Sequence, residues 1–181
     1  MIKQLFIPLH VSEQATGELL ELYVQPRLTE ANDIFSGLIG AGLEPGIKRA
    51  KQLLQLLALK TGNGTIYCVN SQPPLVNPES TALGLMLMSL LSRPGCAYQT
   101  LIVCAGIADD AALTLESTRH WQEKLAAILT LGKQAIEVPL ILSADCNSEL
   151  SESDIQQLKS CNITAYRLAN VKQVLDLIMP S

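Results

Sequence analysis

Residues Val76 to Ser92 read VNPESTALGLMLMSLLS, and this stretch decides the fold. It opens with Asn77, Pro78, Glu79, Ser80 and Thr81, then turns almost wholly apolar. The opening has the chemistry of a helix start. Pro presets a helical φ in a first turn. Ser80 or Thr81 can cap free backbone N–H groups, and Glu79 suits the positive end of the helix dipole. From Ala82 to Leu91 the run offers little polar face. A helix that is apolar on nearly every side must be buried. The stretch therefore predicts a central helix with one hydroxyl residue, Ser80, at its N-terminus. That serine has two uses: a helix cap, or a nucleophile whose developing charge faces the helix's positive end.

Working outward, the composition bounds the answer. The chain has 181 residues, the size of one domain. Folding a chain of this size buries roughly 70% of its unfolded surface, so no metal or disulfide staple is needed. Hydrophobic residues make up 48% and charged residues 17%, the latter well below an average of about 25%. Mean hydropathy is +0.25. These values point to surface covered in a homo-oligomer or by a partner. The net charge is −4, and no basic stripe marks a nucleic-acid ligand. The five cysteines, Cys68, Cys96, Cys104, Cys146 and Cys161, form no C-x-x-C pair and read as reduced thiols. The apolar run near the N-terminus is short and broken by Pro8, unlike a signal peptide. The run from Ala82 to Leu91 falls far short of a span of about 20 residues. A soluble, cytoplasmic protein is expected, with no membrane contact.

Along the chain, Leu5 to Val11 and Leu19 to Val24 read as a hairpin around a polar turn. Ile34 to Leu43 reads as a short strand followed by a close backbone approach. Pro45 to Leu59 is an amphipathic helix, with Ile47, Ala50, Leu53, Leu54, Leu57 and Ala58 on its apolar face. Thr65 to Val69, Thr100 to Ala105, Val138 to Leu142 and Ile163 to Leu168 read as buried strands. Asp109 and Asp110 supply a turn, and Ala111 to Leu115 is a short hairpin partner. Glu116 or Ser117 begins a helix with Trp121, Leu125, Ile128 and Leu129 as its stripe. Ser151 to Lys159 carries a capping-box pattern, Ser151 with Asp154. Val171 to Met179 is a last helix. Helices alternating with strands predict an α/β fold, a mixed β-sheet with helices packed on it, in a single domain over 1–181.

The order of these segments resembles the proteolytic domain of the Lon proteases, a ribosomal protein S5 domain 2-like fold. The likeness is carried by the central helix, Cys104-Ala105-Gly106 and Trp121-Gln122-Glu123-Lys124-Leu125-Ala126-Ala127. Val138 to Leu142, Asn147 to Leu150 and Val171 to Leu177 continue it. It is best over 69–179. The resemblance implies a stand-alone serine peptidase domain with a Ser–Lys dyad, acting on a protein or peptide. Ser80 would be the nucleophile and Lys124 its general base. It also implies a homo-oligomer and a separate ATPase partner, since no G-x-x-x-x-G-K-[ST] loop is present. The family's serine sits in Gly-Pro-Ser-Ala-Gly, whereas this chain has Asn77-Pro78-Glu79-Ser80-Thr81. One gap placement puts Glu79, not Ser80, at the nucleophile's place. The family's glycine pair before its lysine is replaced by Arg119 and His120. These differences imply the alternative: a non-catalytic scaffold similar to the Lon-like domains of RadA or ComM-type proteins.

The ordinary readings stand beside these. Ser80 is a helix cap, and Lys124 is a solvated helix lysine flanking the apolar stripe. A catalytic lysine must instead be partly desolvated to lower its pKa. His10 and His120 have no carboxylate at an evident triad or metal spacing, so no metal is expected. Gly37, Gly40 and Gly42 do not make a dinucleotide fingerprint, so no cofactor is expected. Trp121, the only tryptophan, reads as a core anchor.

Overall fold

The apolar helix sits where its composition requires. It is α2, Pro78–Leu91, and every residue from Thr81 to Leu91 is buried. The computed structural model describes residues 3–11, 16–27, 33–38, 42–70, 78–117 and 119–180. Asn77, the hairpin turn at 12–15, most of the loop after Pro26 and the predicted close approach at 39–41 lie outside the described residues.

Six strands form one mixed sheet in the order β3-β2-β1-β4-β7-β8. The first half is antiparallel: β1 (Lys3–Val11) pairs β2 (Thr16–Pro26), which pairs β3 (Gly64–Cys68). The second half is parallel: β1 pairs β4 (Thr100–Cys104), β4 pairs β7 (Val138–Ser143), and β7 pairs β8 (Ile163–Leu168). Successive side chains of a strand point to opposite faces, and the two faces hold separate cores. On one, Leu5, Ile7, Leu22, Leu101 and Val103 pack with α1 (Glu44–Leu56), α2 and α5 (Val171–Ile178). On the other, Phe6, Ile102, Leu140 and Leu142 pack with α3 (Trp121–Leu129) and α4 (Glu152–Ser160). Five helices thus cover a mixed six-stranded sheet. Among the described residues no helix is long and apolar enough to cross a membrane.

α2 lies close on β1 because Gly84 has no side chain. A Cβ there would come within 2.5 Å of Ile7 Cδ1 and 2.9 Å of Ile7 Cγ1. α4 starts with the predicted capping box. Ser151 Oγ accepts from Asp154 N at 3.1 Å, and Asp154 Oδ2 accepts from Ser151 N at 3.0 Å.

Three expectations need correction. Ile34–Leu38 is a 3-10 turn, not a strand. Asp33 makes it so: its Oδ1 accepts from Phe35 N and its carbonyl accepts from Ser36 N, a local bond pattern that competes with strand pairing. The helix expected from Glu116 or Ser117 begins at Trp121 instead. Leu115–Glu116 is strand β6, paired antiparallel with β5 at Gly106–Ile107. Ser143 Oγ donates to Leu115 O at 2.9 Å and ties that small hairpin to β7. α1 also stops short of Leu59, because Ala58 takes a left-handed φ of 51°.

Candidate functional site

Ser80 and Lys124 are placed by the first turns of α2 and α3. β2 runs antiparallel to both β1 and β3, so β1 and β3 point the same way. The last turn of α2 meets the entry to β3, where Gly62 N donates to Ser89 O at 2.8 Å. The first turn of α2, with half-buried Ser80, therefore lies at the carboxyl end of these strands. α3 starts at the same end. His120, just before it, stacks on His10 near the end of β1, ring centroids 3.6 Å apart and planes 5° from parallel. Ser80 and Lys124 thus share one end of the sheet, but their helices pack on opposite faces of it.

Lys124 is not a solvated helix lysine. It is 6% exposed. Burial disfavours its ammonium and holds its pKa below the ordinary 10.5. Charge on Cys104, Glu149, Cys146 and Glu123 works the other way without cancelling that loss. Cys104 ends β4, and Cys146 lies in the 3-10 turn Ala144–Ser148 after β7. Both thiols are 3% exposed. Burial pushes the Cys146 thiol up to about 11, helped by Cys104 and Glu149 and opposed by Arg167 and Lys124. A thiol with that pKa stays protonated near neutral pH and is a poor nucleophile.

The chain matches no protein-family model and no curated protein. Its site is therefore read from its own geometry.

A buried polar link ties α3 to α4. Trp121 Nε1 donates to Asp154 Oδ2 at 3.0 Å. Trp121 is thus a core anchor, with its indole N–H paired as a buried tryptophan requires. The same Asp154 completes the capping box of α4. Burial pushes its pKa up. The bonds from Ser151 N, the Trp121 indole and the Ser151 hydroxyl outweigh that and hold it below the usual 3.8. Asp110 does turn chemistry, as expected: its Oδ1 accepts from Thr114 N at 2.9 Å, whereas the exposed Asp109 accepts from Arg49 Nη2 at 3.4 Å.

The arrangement has one pairing that the sequence pattern missed. His10 and His120 meet face to face although they are far apart in the chain. His120 adopts the left-handed conformation, φ 63° and ψ 48°. Histidine is enriched among the few non-glycine residues found there, which is the only local signal for it.

Proposed function

We propose that this chain is a degenerate Lon-type domain that binds a partner protein or its own copies and does not hydrolyse peptides. The order of hairpin, α1, β3, α2, β4, small hairpin, α3, β7, α4, β8 and α5 supports the Lon-type reading. One observation carries the degenerate half of it. α2 and α3 pack on opposite faces of the sheet, and the Lys124 charge is set among Cys104, Cys146 and Glu149. A dyad base needs its amine within about 3 Å of the serine hydroxyl, or one water away. A separate ATPase chain is then a candidate partner to be bound, not a feeder of substrate. The test compares hydrolysis of an unfolded protein substrate by wild type, Ser80→Ala and Lys124→Ala. The expected result is no turnover above background in any of the three. Turnover by wild type that Ser80→Ala abolishes would overturn the proposal.

The active reading keeps one observation in its favour: Lys124 is desolvated and its pKa is lowered, as a Ser–Lys base requires. In that reading Ser80 Oγ attacks the peptide carbonyl and Lys124 takes its proton, then returns it to the leaving amine. Backbone N–H groups at the start of α2 hold the oxyanion. The two readings part on the same three proteins.

A further inference from the structure

A second cluster lies at the start of α3, outside the Ser80 and Lys124 pairing. His10 from the end of β1, and His120 and Glu123 from α3 and its N-cap, each bring one ligand atom to a common spot. These atoms lie within 4.8 Å of one another. We propose that His10, His120 and Glu123 form a site for a divalent transition-metal ion of the zinc type.

The donor set fits that ion class. Two imidazoles and one carboxylate suit zinc and its neighbours in the first transition row, and suit magnesium or calcium poorly. Three protein ligands leave a fourth position for water or an incoming group. A groove of about 490 Å³, lined in part by Gly17, Glu123 and Thr130, opens beside the cluster and supplies the access route. The charge balance is also suitable. The positive end of the α3 dipole disfavours a cation, and the Glu123 carboxylate in the first turn offsets it.

A second observation concerns His10 itself. Its Nδ1 is buried and has no hydrogen-bond partner among the described residues. An imidazole nitrogen without a partner carries an unmet polar cost. A metal ion, or rotation of the ring toward one, removes that cost. Binding an ion at these nitrogens requires the His10–His120 stack to open. The lone pairs of stacked rings lie in two separate, parallel planes, so in the stack they do not meet at one ion. Tetrahedral bonds of about 2.0–2.1 Å would draw the donor atoms to roughly 3.3 Å apart. His120 is exposed and is the ring free to turn out of the stack.

Zinc and cobalt(II), each alone, are titrated into the chelator-treated full chain by calorimetry and by visible absorbance. Wild type is expected to bind one ion per chain, with a cobalt spectrum of nitrogen and oxygen ligands and no thiolate charge-transfer band. Glu123→Gln and His120→Asn should each weaken binding roughly tenfold or more, since even outer-shell changes cost 10–100-fold. His120→Asn keeps a residue that tolerates the left-handed conformation. Zinc should raise the melting temperature of wild type and not of either variant, which separates lost binding from lost fold. Wild-type affinity equal to that of both variants overturns the site. So does stoichiometric binding with a thiolate band, which assigns the ion to the cysteines.

Discussion

Gly17→Ala is the substitution that most directly tests how α3 is seated. Gly17 is on β2, opposite His10 in the ladder, and α3 lies across β2 and β1. A Cβ at Gly17 would collide with the Glu123 carbonyl oxygen, stand 2.6 Å from its carbonyl carbon and 3.2 Å from Ala127 Cβ. Ordinary contact starts near 3.4 Å, so the Glu123 peptide must withdraw by at least 0.8 Å (3.4 − 2.6), and its nearer oxygen by more. Both sides of the clash are held by backbone, so no flexible side-chain tip can give way. A gap of that size forfeits roughly a quarter to a half of each affected dispersion contact, and Leu125 and Ile128 of α3 are buried against the sheet. Overpacking of this kind costs about 1–3 kcal/mol, and a backbone clash belongs at the top of that range. The unfolded chain is also restricted by the new methyl, which returns about 0.4–1 kcal/mol. The net loss is about 2 kcal/mol. For a chain of this length that lowers the melting temperature by roughly 4–8 °C. Circular dichroism melts and urea titrations measure it, with the urea midpoint falling and the slope unchanged. A variant that melts at or above wild type would mean that α3 does not rest on Gly17.

Two further outcomes follow from buried charges. Lys124→Met should be neutral or stabilising by about 1 kcal/mol, because it removes a buried ammonium and keeps the volume. The Lys124 pKa is lower in the folded chain than its ordinary 10.5, so the unfolded chain binds more protons and wild-type stability rises with pH up to about that value. Urea midpoints over that range should show the rise in wild type and a flatter line in Lys124→Met. Asp154→Asn should cost about 1–2 kcal/mol at neutral pH through the weakened Trp121 bond and capping box. The Asp154 pKa is lowered in the folded chain, so its contribution is present above 3.8 and is lost as pH falls through the folded value. Melts of both proteins taken across acid pH should therefore begin to converge below about 3.8 and meet once pH is below the folded value; a gap that does not narrow as pH falls would reject the assignment.

The parts that local patterns specify were legible. α2 is apolar around its whole circumference, so burial followed from its residues alone. Ser151 and Asp154 announced the start of α4, and Ile163–Leu168 is the strand its alternation with helices implied. The errors came where a pairing partner or a single polar neighbour decided the outcome. Leu115–Glu116 became strand because Gly106–Ile107 was there to pair with it. Ile34–Leu38 is as apolar as a strand, and a single carboxylate at Asp33 turned it into a 3-10 turn. The candidate site was less legible than the fold. Lys124 sits beside an apolar stripe, and whether such a lysine is wet or dry depends on what the fold packs around it; here it is 6% exposed. His10 and His120 meet only because a strand end and a helix start share one end of the sheet.

The apolar circumference of α2 has a consequence for the newborn chain. Part of its cover, β1, β2, β3 and α1, is made before it, but β4 and β5 follow it in the sequence. As the protein leaves the ribosome, this helix emerges with one flank still bare. Until Thr100–Ile107 has been synthesised and has closed over it, the most apolar segment of the nascent chain is open to any other greasy surface in the cell, chaperones included.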